Sequence, residues 1–99
     1  MTITKSQTDA VEVLSLTGRI DTVTSPKLQE ELLEIIASAE AVELDFSKVD
    51  YVSSAGLRVL LIGQKRAQAS GKTVTLKNVP HEVMEVFEIT GFSDILNFA

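Results

Sequence analysis

The order of hydrophobic periodicities along this 99-residue chain predicts a single α/β domain spanning residues 1–99. The expected architecture is a mixed β-sheet that opens with an N-terminal hairpin and continues through parallel βαβ units, with helices packed on it. Three observations carry this prediction. Apolar residues alternate over several short runs. Between those runs they recur at helical spacing, and the helical segments open on serine or proline and stop at glycine. Strands joined through a helix favour parallel neighbours with right-handed crossovers, whereas the first two strands need a hairpin.

Residues 2–6 and 10–17 form that hairpin, with Gln7-Thr8-Asp9 as its turn. The arm Val11-Glu12-Val13-Leu14-Ser15-Leu16 mostly alternates, and Val13-Leu14 marks a bulge or a strand covered on both faces. Gly18-Arg19-Ile20-Asp21 reads as a tight exit from the strand. Ser25-Pro26 starts the first helix, with Ser25 as cap and Pro26 at a position where its missing N–H costs nothing. Leu28, Leu32, Ile35, Ile36 and Ala39 share one face. Glu30 and Glu31 lie near the start and complement the helix dipole.

Val42, Leu44 and Phe46 alternate with Glu43 and Asp45, so residues 41–46 form a half-buried strand that a short loop follows. The second helix runs from about Ser54 to Ala69. Leu57, Leu60, Leu61 and Ala67 form its inner face, which Val59 and Ile62 widen, so it is expected to be the most buried helix. Gly71 suits a left-handed residue past its end. Thr73-Val74-Thr75-Leu76 is a strand, Pro80 opens a third helix reaching about Thr90, and Gly91 stops it. Phe92 and Ile95 to Phe98 close the chain as a short helix or edge strand.

Composition excludes several classes of function. The net charge of −5 opposes binding to nucleic acid or an anionic membrane surface, both of which favour a basic patch. No apolar run approaches the ~18–20 residues of a membrane span. There is no cysteine, hence no disulfide, thiolate metal site or cysteine nucleophile. With no apolar leader at the N-terminus, the cytoplasm is the expected location. No metal-ligand spacing occurs, and no cofactor is expected.

Ser53-Ser54, between the third strand and the second helix, is the leading candidate site. A serine there caps an orphan N–H. It also places a hydroxyl where a phosphate would be tolerated, because the positive end of the helix offsets much of the ~1.5–2 added negative charges. Both readings stand on local chemistry, and one cap does not require two serines. Gly56 costs roughly 1 kcal/mol relative to alanine inside a helix, so something approaches the backbone closely, either the first strand or a partner. Asp21 stabilises its own turn or joins the serines at one end of the sheet. Ser70-Gly71-Lys72-Thr73 resembles the tail of a phosphate-binding loop, but Arg66 stands where glycine is required and the segment joins helix to strand. His81 is the sole histidine, and no Gly-x-Ser-x-Gly surrounds either serine, which disfavours a serine hydrolase.

Gly18-Arg19-Ile20-Asp21 followed by a helix, and Ser53-Ser54-Ala55-Gly56-Leu57 within the stretch from Asp45 to Leu61, resemble the STAS domain, specifically the bacterial anti-sigma factor antagonists. The resemblance covers nearly the whole chain. It implies a STAS-like fold and a regulator, not an enzyme. In that family the unphosphorylated protein sequesters an anti-sigma factor that is also a serine kinase of the histidine-kinase-like ATPase fold. Phosphorylation at this helix start ends the sequestration, and a metal-dependent phosphatase restores it. Relatives often carry an acidic residue at position 53 and a hydroxyl at position 55, where this chain has Ser53 and Ala55. Ser54 is therefore the expected phosphoacceptor, with Ser53 second. The partner is expected to contact Asp21, Ser53, Ser54, Gly56 and Arg58, and Lys65 is a further exposed candidate on the same helix. The alternative is a STAS interaction module that is never phosphorylated, within a signalling or transport assembly.

Overall fold

A computed structural model describes all 99 residues. The chain runs β1 (Thr2–Thr8), β2 (Val11–Ile20), α1 (Ser25–Ser38), β3 (Ala41–Val52), α2 (Ser54–Ala69), β4 (Thr73–Lys77), α3 (His81–Thr90), a 3₁₀ turn (Phe92–Asp94) and β5 (Asn97–Phe98). The five strands form one sheet in sequence order. β1 and β2 are antiparallel and every other neighbouring pair is parallel. The α/β class, the hairpin and the βαβ units are therefore as expected. The chain's tail supplies both of its expected forms, a helical turn and an edge strand.

Leu14, Leu16, Val42, Leu44, Phe46, Val74 and Leu76 put the strands' apolar side chains on one face. Leu28, Leu32 and Ile36 of α1, Leu57 and Leu60 of α2, and Val83 and Phe87 of α3 join them in one contiguous core. Phe87 meets Phe46 edge-on at 6.1 Å and Phe98 at 5.7 Å, which fastens α3 and β5 to the sheet. The opposite face carries Val13, Ser15, Glu43, Asp45, Thr75 and Lys77, all only half-buried.

Several boundaries differ from expectation. Gln7 and Thr8 belong to β1, and the hairpin turn is Asp9-Ala10, with Asp9 at φ 55°. Gly18-Arg19-Ile20 does not leave the sheet but forms the last part of β2. β3 continues to Val52, so the loop expected after Phe46 is strand. The register explains why it was hidden. β3 carries one extra residue between Asp45 and Lys48 and another between Val49 and Tyr51 relative to β2. Two bulges turn strict alternation into buried residues at Phe46, Val49 and Val52. Gly18, at φ 104°, takes the left-handed backbone beside the second irregularity.

α1 begins at Ser25, one residue before the expected first turn. Thr24 is the N-cap, and Ser25 caps nothing: buried, it donates its hydroxyl to the Asp21 carbonyl. Glu30 and Glu31 lie beyond the first turn. Glu31 instead meets Lys5 of β1 at 2.6 Å and Lys27 at 3.3 Å. α2 has the expected bounds and more buried residues than either other helix. Its inner face also includes Gly63 and Gln64, while Leu61 and Ile62 are only half-buried. A Cβ at Gly63 would sit 2.5 Å from Leu32, so this glycine lets α1 and α2 pack closely. Lys72 donates to the Ile36 carbonyl and so places a cation at the negative end of α1.

Candidate functional site

The parallel pairing of β2 with β3 brings the segments after them to one end of the sheet. The Ser53 N–H donates to the Ile20 carbonyl at 2.8 Å, which ties the start of α2 to the end of β2. Asp21 and the serine pair thus belong to one structural cluster.

Ser53 is half-buried and is the N-cap of α2, with extended backbone and a side chain that accepts from the Gly56 N–H at 3.3 Å. Its carbonyl accepts from the Leu57 N–H at 2.9 Å. Ser54, the first helical residue, is exposed. The two neighbouring hydroxyls therefore differ: one is engaged within the fold and the other faces outward.

Gly56 is buried. A Cβ there would lie 2.7 Å from Ile20 Cγ2, 3.0 Å from Val52 Cγ1 and 3.1 Å from the Ile20 carbonyl oxygen. What approaches its backbone is the end of the second strand, not the first, together with Val52. That seat makes Gly56 the residue that sets the position of the helix start.

Asp21 Oδ1 accepts from the Val23 N–H at 3.0 Å and the Thr24 N–H at 3.1 Å. The Thr24 hydroxyl donates to the Arg19 carbonyl at 2.8 Å and accepts from the Asp21 N–H at 2.9 Å. These bonds shape the turn into α1. The Thr24 N–H, followed by the Val23 N–H, the Thr24 hydroxyl and Arg19, holds the Asp21 carboxyl below its ordinary value against the opposing effect of desolvation. Arg19 lies 3.5 Å from Asp21 Oδ2, and its guanidinium stacks 4.1 Å over the Tyr51 ring, which is partly exposed. Sequence reasoning missed this Arg19–Tyr51 pair, because it depends on β3 extending past Phe46. Val23, at the tip of the same turn, is 86% exposed and was also missed.

An open groove of about 310 Å³ separates the first turns of α1 and α2. Thr22, Pro26 and Gln29 line one side, and Ala55, Arg58 and Val59 the other. Arg58 is exposed and joins none of the ion pairs. Lys65 is also exposed, but eleven residues of helix carry it about 16 Å from Ser54 along the axis. His81 pairs with Glu85 at 2.8 Å and bonds to neither serine. No group of three or more histidine and acidic side chains could hold a metal ion, and no helix is long and apolar enough to cross a membrane.

Known proteins are similar to this chain in sequence and in fold. The family model described as Mlab, STAS domain matches residues 3–97. BtrV of Bordetella bronchiseptica is 38% identical over 101 residues, spanning 100% of this chain and 86% of BtrV. The anti-sigma-B factor antagonist of Listeria monocytogenes is 32% identical over 96 residues, spanning 95% of this chain and 82% of that protein. The Bacillus cell fate determinant SpoIIAA, solved in its phosphorylated form, superposes with a TM-score of 0.76 at 17% identity, covering 99% of this chain and 91% of SpoIIAA.

Proposed function

The chain belongs to the STAS domain family, and we propose from that premise that it is an anti-sigma factor antagonist switched by phosphorylation at Ser54. The observation that carries this reading is the division between the two serines. Ser53 uses its hydroxyl as a cap, whereas Ser54 presents a free one at the first turn of α2. Unphosphorylated, the protein docks on an anti-sigma factor that is also a serine kinase, using the end of the sheet around Asp21, Ser54 and Arg58. The kinase transfers the γ-phosphoryl group of ATP to Ser54 Oγ. The O–P bond to ADP breaks as the new one forms, and the hydroxyl proton leaves to a base on the kinase. The helix N-terminus offsets much of the added charge, so the fold survives while a surface matched to a small neutral hydroxyl meets a large dianion. A metal-dependent phosphatase resets the switch. ATP and metal belong to these partners, and the antagonist acts as substrate and binder.

Incubation with the cognate kinase and ATP, followed by phosphosite mapping, tests the reading. Label at Ser54 is expected, and label at neither serine overturns it. A Ser54→Ala variant should keep the affinity of the unmodified protein, and Ser54→Asp should weaken it by about tenfold or more. Equal affinities would overturn the electrostatic switch.

A further inference from the structure

Arg58 stands out among the charges near Ser54. It is the only charged side chain lining the groove between α1 and α2, and it has no ion-pair partner. The surrounding groups are neutral: the Thr22 hydroxyl, the Gln29 amide and the apolar surfaces of Pro26, Ala55 and Val59. The first turn of α2 opens toward it and adds partial positive charge, while the Asp21 carboxylate sits against the N–H groups that lead into α1. Arg58 is thus the one full charge lining the groove, on a protein whose net charge is −5. The groove's volume, near the lower end of the ~300–1,000 Å³ typical of ligand pockets, and its open shape suit an inserted side chain more than an enclosed small molecule.

We propose that this groove receives a carboxylate side chain, Asp or Glu, of the anti-sigma factor and that Arg58 is its counter-ion. The inference rests on the docking role proposed above and names the chemistry that the partner must present. A guanidinium grips a carboxylate through two parallel hydrogen bonds, which fixes orientation as well as charge. The placement also gives phosphorylation a second effect. Ser54 and Arg58 are four residues apart on one helix, the spacing at which side chains meet. A phosphate on Ser54 both repels the incoming carboxylate and engages the arginine that would have received it.

The test is calorimetric binding of the purified cognate anti-sigma factor to the whole chain, whether or not that factor phosphorylates it. Arg58→Glu should weaken binding by about tenfold or more, and Arg58→Lys by only about threefold. Thermal melts should match the parent, because Arg58 is exposed. Reversing the acidic residues of the partner one at a time should yield one variant that restores affinity for Arg58→Glu. If Ser54→Asp weakens binding while Arg58→Glu does not, this inference falls and the phosphoswitch stands. If Arg58→Glu weakens binding with rescue, but Ser54→Asp binds like Ser54→Ala, the carboxylate contact stands and the switch falls. If no reversal rescues Arg58→Glu, the carboxylate occupant is overturned. Failure of the parent chain to bind overturns the docking role and this inference together.

Discussion

Adjacent serines at the start of α2 differ in what their hydroxyls do: Ser53 accepts a helix N–H, and Ser54 faces outward. Ser53 is bonded into the helix start, so Ser53→Ala should cost about 0.5–2 kcal/mol, toward the lower end because its bond to the Gly56 N–H is 3.3 Å long. Ser54→Ala should stay within about 0.5 kcal/mol of the parent in urea denaturation, because that hydroxyl is exposed. Asp21 adds a pH dependence. Its folded carboxyl lies below the ordinary 3.8, chiefly through the Thr24 N–H, so the unfolded chain takes up the proton first as pH falls. Its stabilising contribution is complete above the ordinary carboxylate value and is lost as pH falls through the depressed folded value. Asp21→Asn should therefore flatten part of the acid limb in melts taken from about pH 5 down to about pH 2. Asp45 and Glu31 are lowered in the same way, through the Ser47 N–H and Lys5 respectively, and keep the remainder of the limb.

The fit of α2 against the end of β2 turns on Gly56. Helix propensity alone favours Gly56→Ala by about 1 kcal/mol. The added methyl would meet the Ile20 side chain and a backbone carbonyl that cannot step aside, so net destabilisation of about 1–3 kcal/mol is expected in urea titration. At this scale the sequence is legible where one period holds and opaque where two compete. The caps and apolar stripe of α2 stand out because Leu57, Leu60 and Ala67 keep helical spacing. The far half of β3 is hidden because Ser47-Lys48 and Asp50-Tyr51 interrupt alternation at two bulges. That one gap concealed the pairing of Arg19 with Tyr51. The start of α1 was displaced for a related reason: Asp21, four residues upstream, organises the turn that Ser25 was expected to cap.

Across the molecule, three helices and five strands depend on one core whose centre is Phe46, fully buried between the sheet and Phe87. Domains of this kind have only about 5–15 kcal/mol of total stability. Phe46→Ala should remove about 3–5 kcal/mol of it, measured as a shift of the urea midpoint at unchanged slope. The candidate site lies at the end of the sheet instead of in its middle, so its surface can vary with little effect on this core. The α/β order that brings Asp21 and the serines together was legible because it depends only on the succession of periods. The groove and the seat of Gly56 were not, because each joins residues far apart in the chain.

The bond from the Ser53 N–H to the Ile20 carbonyl has a consequence for enzymology. With Gly56 pressed against the same residue, it holds the outward hydroxyl on a shaped knob that exists only in the folded domain. An enzyme that modifies Ser54 is therefore expected to read a surface, not a string of letters. A short peptide copied from residues 47–60 would carry the same letters, but an isolated helix of that length is marginal in water. Such a peptide is expected to be a poor substrate. Substrate identity would then be written in topology, and two chains with different residues around this serine could be interchangeable to one enzyme if they build the same knob.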